Sequence, residues 1–277
     1  MSRSKIIQSI VKSILLISTL FSIAILVFII FYVLKNGLPQ VTKEFLLESP
    51  MDMGNRGGIF PTIIGTILIT LVAVVISTPL GVGTAIFLTE YTQEGYSTKI
   101  VRFGTECLAG IPSIIFGLFG FVLFVEYLGF GWSILSGGLT LAFMILPTII
   151  RTTEEAIKAV PYSFREVSYS LGATKWQTVK NVVLPGALPG IFTGVILGIG
   201  RSIGETAAVI FTAGSSLNIP RSLFDSSRTM SVHFYILARE GISMQNAYGT
   251  AAILVISILL INTFAYWIMH KITSRYS

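Results

Sequence analysis

The sequence predicts an all-α protein that crosses a membrane six times. Two observations carry that expectation. Of 277 residues 53% are apolar and only 12% are charged, and the mean hydropathy is +0.80. The apolar residues also gather into six long, nearly charge-free runs, close to the about 20 residues that a bilayer-spanning helix needs. A soluble domain carries roughly 25% charged residues, and a chain this short has no single core able to hide so much apolar surface. The same composition excludes a disordered chain, a coiled coil and a disulfide-stapled secreted domain. Cys107 is the one cysteine, so no internal disulfide forms, and two histidines add little material for a zinc site. The net charge of +6 is read as membrane topology rather than nucleic-acid binding.

The first run, 14–34, is fenced by Lys12 and Lys35. It exceeds the roughly 7–15 residues of a signal-peptide core and no small-x-small cleavage site follows, so it reads as an anchor. The second, 59–88, lies between Arg56 and Glu90 and has room for a span plus an interfacial piece at Pro79-Leu80-Gly81. The third covers 107–125. The fourth covers 132–150 and stops at Arg151. The fifth runs from 184 past Arg201 to 213, and the sixth covers 250–270 and is closed by Lys271. Segments 35–58 and 214–249 contain Gly, Pro, Ser and Asn and read as outer loops with short interfacial helices. The chain divides into residues 1–58, a first span with its outer loop, and 59–277, a transmembrane domain holding a cytoplasmic loop at 151–183. With an inner amino terminus, twelve of the nineteen lysines and arginines fall inside and six outside, with Arg201 in a span. That bias places both termini in the cytoplasm of a multi-pass protein.

The loop at 151–183 is patterned. Pro161 ends one helix and can open the next. Ser163 and Glu166 have capping-box spacing, as do Thr174 and Gln177. Phe164, Val167 and Leu171 form an apolar stripe, Gly172 breaks it, and Trp176, Val179 and Val183 form a second one. Pro185 is expected to stop this segment. The reading is two short amphipathic helices joined by a glycine hinge, each needing a partner surface.

Glu166, Gly172 six residues on, Val182 ten further, and Leu184-Pro185 resemble the EAA pattern of ABC importer permeases. Val167-Ser168 stands where the pattern has Ala-Ala, and Val182 where it has Ile. The resemblance implies that Ser163, Phe164, Glu166, Leu171, Gly172, Ala173 and Trp176 form a coupling helix docked on an ATP-hydrolysing subunit. The alternative job for Glu166, capping its own helix, is compatible with that docking.

In the fifth span Gly186, Gly190, Gly194 and Gly198 recur every fourth residue, a spacing that lets helix backbones approach closely. Arg201 and Glu205 continue the stripe. A charge at mid-membrane costs about 2.5–3.5 kcal/mol even on gentle scales, so such residues are candidates for function. Two readings stand. Arg201 and Glu205 pair at i, i+4 and neutralise each other, or the Arg201 guanidinium faces the path and attracts an oxyanion, with Glu205 holding the fork when no anion is present.

The segment from Gly200 to Ala207 resembles the G-R-[AS]-x-G-E-T stretch of phosphate-specific (Pst) ABC permeases. Residues 57–91 and 108–120 resemble that family's second and third spans, and the whole favours the PstA-type subunit. The resemblance implies a type I importer fold (MetI-like) in a prokaryotic cell membrane. It implies a heterodimer with a homologous PstC-type permease, two copies of an ABC ATPase and an extracytoplasmic phosphate-binding protein. The chain holds no G-x-x-x-x-G-K-[ST], so ATP-Mg belongs to the ATPase and no cofactor, metal or nucleic acid to this chain. Rival readings are a molybdate or sulfate permease and an ATP-independent carrier or channel. An intramembrane enzyme is a third, without a metal cluster or Ser/His dyad to support it. His233 and His270 belong to no ligand cluster. Cys107 is expected to be a small buried side chain, Glu106 to be interfacial, and Arg221, Arg228 and Arg239 to sit in a solvated outer loop.

Overall fold

The computed structural model describes residues 3–93 and 95–273. Arg275, counted on the inner side, lies outside them. Nearly all regular structure is helical. Five helices are long and apolar enough to cross a membrane, or six if one bent pair counts as a single span, among the described residues.

Helix α1 (Arg3–Gly37) carries the first run and packs against α12 (Met244–Thr273). The outer loop after it holds a 3-10 turn, a short α2 (Lys43–Leu47) and a two-residue hairpin, β1 (Pro50–Met51) with antiparallel β2 (Arg56–Gly57). Helix α3 (Phe60–Ile86) holds Pro79 and widens into a π turn at Phe87–Tyr91. It packs closely on α6 (Ile134–Ala159), and α6 in turn on α9 (Leu184–Gly204). This trio is the scaffold. The apolar core between its helices includes Ile69, Leu141, Ile145 and Ile149, joined by Ala208 and Val209 of α10 (Ala207–Thr212). A second cluster, Ala85, Ile157, Val160, Val183, Ala187 and Ile191, closes the end of the trio at which α6 stops.

Two of the expected spans are broken. The third is not one helix. Helix α4 (Tyr96–Ala109) and α5 (Ser113–Gly120, extended by a π stretch to Tyr127) meet at 103°. The cause lies in Gly110-Ile111-Pro112: proline has no N–H to give the preceding turn and disfavours a helical residue before it. Cys107 is exposed on α4, not buried, because α4 lies outside the packed trio. The fifth span stops at Gly204 and resumes as α10 after an extended Glu205. Conversely, Pro185 stops nothing. It sits inside a continuous helical run, directly after the wide π turn, where the ladder is already locally rearranged and a missing N–H can be absorbed. The π turn Val179–Val183 joins α9 to α8 (Lys175–Thr178) as one run to Gly204. The outer segment after α10 is also less open than its composition suggests. Helix α11 (Met230–Arg239) is largely buried, and its Met230 N–H donates to Thr66 Oγ1 of α3 at 2.9 Å.

Candidate functional site

The segment between α6 and α9 is built around a turn that only glycine makes easily. Pro161, at ψ 136°, turns the chain into α7 (Tyr162–Ser170). The helix therefore starts two positions too early for Ser163 to be its cap. The expected Ser163–Glu166 capping box is absent, and Ser163 and Glu166 are exposed instead. At the other end, Gly172 N–H donates to Tyr169 O (2.9 Å) and Ala173 N–H to Ser168 O (3.2 Å). That pair of bonds is a Schellman motif, which needs a left-handed residue, and Gly172 has φ +82°. Thr174 and Gln177 do form their reciprocal box. Thr174 N–H donates to Gln177 Oε1 (2.8 Å), and Gln177 N–H to Thr174 Oγ1 (3.3 Å). The hydroxyls of Ser168 and Thr178, 2.9 Å apart, tie α7 to α8.

The first apolar stripe is open. Phe164 is 56% exposed, Leu171 83%, and Val167 and Trp176 are exposed beside them. The second stripe is divided: Trp176 faces out, while Val179 and Val183 are wholly buried. Ala173 is half-buried.

The opposite side of α7 carries a residue that the sequence pattern did not single out. Arg165 is 7% exposed. Its Nε–H and Nη2–H both donate to Glu90 Oε1, at 3.1 and 2.7 Å. Nη1–H donates to Val160 O (2.8 Å) and Nη2–H to Ile157 O (3.0 Å), the last carbonyls of α6. A helix leaves its final carbonyls without partners, and a guanidinium, with five donors in a fixed fork, can serve a carboxylate and these carbonyls together. Glu90 lies in the π turn of α3, and such wide turns often mark functional positions. A second network joins α4 to α6. Glu154 Oε2, on a buried carboxylate, is 3.3 Å from Arg102 Nε and 3.7 Å from Lys158 Nζ.

On α9 the glycine stripe faces α6. Gly190 meets Ala156, Gly194 meets Thr152, and Gly198 faces Ile145 and Ile149. A Cβ on Gly194 would collide with the Thr152 hydroxyl, which is why the close approach needs a hydrogen there. Arg201 stands one turn beyond this contact and is exposed. Glu205 does not pair with it: among the described residues no ion pair joins the two. The helix ends between them, so the i, i+4 geometry is lost. Glu205 Oε1 instead accepts from Ala208 N–H (3.2 Å), capping α10, and its carbonyl accepts from Ser231 Oγ (2.6 Å) at the start of α11.

In the segment after α10 the expectation of a solvated Arg228 is corrected, and His233 beside it is buried too. Arg228 is 4% exposed and His233 1%. Arg228 Nε–H donates to Ser215 O (3.0 Å), and its Nη1 lies 3.4 Å from His233 Nδ1. Burial, with the nearby Arg228 charge, pushes His233 down to about 4, so the ring is neutral at neutral pH. A loop sequence rich in Ser and Arg carries no periodicity that would reveal this burial. The groups of His, Cys, Asp and Glu among the described residues include none that could hold a metal ion.

The architecture is that of a transporter's membrane subunit. Residues 77–277 match the family described as binding-protein-dependent transport system inner membrane component, and the chain belongs to that family. It is a multi-pass membrane protein that works with ATPase and substrate-binding partners, and it is not itself an enzyme. It is 35% identical over 261 residues to a probable ABC transporter permease protein of Bacillus subtilis, YqgI, covering 88% of this chain and 89% of that one. It is 32% identical over 280 residues to the phosphate transport system permease protein PstA 1 of Mycobacterium tuberculosis, covering 99% of this chain and 92% of the relative. Two solved structures share the fold. A chain of a bacterial ABC transporter for alginate import matches with a TM-score of 0.68 at 16% identity, over 97% of this chain and 99% of that one. A chain of the MetNI methionine transporter, in an inward-facing conformation, matches with 0.63 at 20% identity, over 76% and 93%.

Proposed function

We propose that this chain is the PstA-type permease subunit of an ATP-driven importer of inorganic phosphate. The reading is carried by Arg201, a guanidinium left exposed at the end of a spanning helix while the carboxylate four residues on caps another helix. A planar fork with no carboxylate attached suits a tetrahedral oxyanion. The substrate named for the mycobacterial relative supports phosphate among such anions.

In this reading a homologous PstC-type permease supplies the other wall of the path, and both termini lie in the cytoplasm. A phosphate-binding protein delivers the anion from outside toward Arg201. Two ATPase copies dock on the surface made by Ser163, Phe164, Glu166, Leu171, Gly172, Ala173 and Trp176. ATP binding closes the ATPases, displaces that surface and opens the path outward; hydrolysis restores the inward-facing state. Glu205 keeps the α9–α10 break in register with α11, and Gly190, Gly194 and Gly198 hold α9 on α6 as they move.

The test is radiolabelled phosphate uptake in cells lacking their own high-affinity system, with the partner subunits co-expressed. Wild type should take up phosphate in the presence of excess sulfate and molybdate, and Arg201→Gln should assemble but not transport. Normal uptake by Arg201→Gln would make the arginine structural, and transport of a competitor instead of phosphate would overturn the substrate.

A further inference from the structure

We propose that Arg165 is the positioning residue through which a push on α7 reaches the transmembrane helices, with Glu90 as its anchor. The proposal rests on the reading of α7 and α8 as the surface that docks the ATPase.

Three observations on separate elements point the same way. At about 3.6 residues per turn, Arg165 is turned roughly 100–160° away from Phe164, Val167 and the C-cap Leu171. The exposed apolar stripe and the buried guanidinium therefore occupy opposite sides of one short helix. The guanidinium then binds two different spanning helices at once: the Glu90 carboxylate in the π turn of α3, and the Ile157 and Val160 carbonyls at the end of α6. Finally, both arginine and glutamate are 8% exposed at the side chain, and Ile157 and Val160 belong to the inner core cluster with Ala85, Val183 and Ala187. Force applied to the stripe thus arrives at a desolvated ion pair seated against packed core.

Such a pair is an unusual choice if stability alone were required, since well-packed apolar residues often serve as well. Its directional hydrogen bonds do something apolar packing does less well. They fix the angle of α7 against α3 and α6, so α7 cannot tilt without breaking charged contacts between two side chains that are each 8% exposed. The tie between Ser168 and Thr178 extends the same unit to α8, which is continuous with α9 and so with Arg201.

The experiment uses the full transporter, purified and reconstituted in proteoliposomes, in a Cys107→Ser background. Spin labels are placed at Leu80→Cys on the exposed face of α3 and Ser170→Cys at the end of α7. The expected wild-type result is one narrow distance, the same without nucleotide and with ATP and vanadate. In Glu90→Gln and Arg165→Lys the distance should broaden and change with nucleotide. ATPase co-purification and basal hydrolysis should stay at the wild-type level while phosphate moved per ATP falls about tenfold. Arg165→Lys, which retains the charge, should lose less than Arg165→Gln. A wild-type distance that changes with nucleotide would overturn the proposal. So would transport per ATP that is unchanged in all three variants, or loss of the ATPase from Glu90→Gln, which would make the pair a builder of the docking surface. Failure of the underlying readings shows in the wild type alone, as an ATPase that does not co-purify or phosphate that does not move.

Discussion

Arg165 and Arg201 share a residue type and differ in everything around it. Arg165 sits on a short helix of nine residues, yet it is buried and its hydrogen bonds go to the Glu90 carboxylate and the Ile157 and Val160 carbonyls. Arg201 sits near the end of a 21-residue spanning helix, yet it is exposed and has no ion pair among the described residues. Sequence position suggests the opposite arrangement. The difference teaches that a charge's surroundings follow from where its helix ends, not from how apolar the helix is. Helix α6 ends over α7, so the Ile157 and Val160 carbonyls at its end and the Glu90 carboxylate collect one guanidinium. Helix α9 ends at Gly204, so the carboxylate that would have neutralised Arg201 turns to the next helix.

The sharpest break of this contrast is Arg165→Ala. It leaves Glu90 buried without its cation, and it should cost about 3–5 kcal/mol of stability, measured by thermal denaturation of the detergent-purified permease. A loss no greater than that of an exposed-residue control would erase the distinction between the two arginines.

A second buried cation, Arg228, adds a pH test. The unfolded His233 ring takes up a proton near 6.5, and the folded ring only near 4. Folding thus disfavours the protonated form. Stability should be full above about pH 6.5 and fall as pH drops toward 4, by up to about 3 kcal/mol. His233→Gln should remove this part of the acid sensitivity, seen in denaturation midpoints across that window.

Smaller still is Thr174→Ala. Losing the box that starts α8 should cost about 1 kcal/mol, and transport should fall only modestly because the Ser168–Thr178 tie remains. An effect as large as that of Arg165→Ala would move the critical fastening from α7 to α8.

The smallest expected change in stability is that of Arg201→Gln, within about 0.5 kcal/mol, as for an exposed residue. Its effect should appear in uptake instead. A marked loss of stability would mean that Arg201 is structural, like Arg165.

Local signals were legible and distant ones were not. The Thr174–Gln177 box and the Gly172 turn depend on neighbours within a few residues, so spacing alone announces them. The Ser163–Glu166 box has the same spacing and fails because Pro161 sets the helix start, a competition the pattern does not rank. Arg165 and Glu90 are 75 positions apart, and an arginine on an amphipathic helix reads as solvated until the partner is seen. Arg201 and Glu205 leave two readings open for the converse reason: their spacing makes a pair only if the helix continues through both, and it ends at Gly204. The bend after α4 is encoded in Gly110 and Pro112, which sit inside an apolar run whose length alone implies a single span. The family's fold was legible because its motifs fall on α3, on the bend between α4 and α5, on the α7–α8 turn and on the α9–α10 break, where glycines and prolines set the backbone.

The first helix of the chain has its seat on the last. Tyr32 meets Tyr248 edge-on at 6.0 Å, and Gly37 lies against the Tyr248 carbonyl and Ala252. During synthesis α1 therefore enters the bilayer long before α12 exists to receive it. It must stand among lipids as a solitary rod until more than two hundred further residues have been added. Its surface suits that wait, since none of its most apolar stretch is buried inside the protein. The α1–α12 seam can close only after the helices that lie between them in the chain have been made.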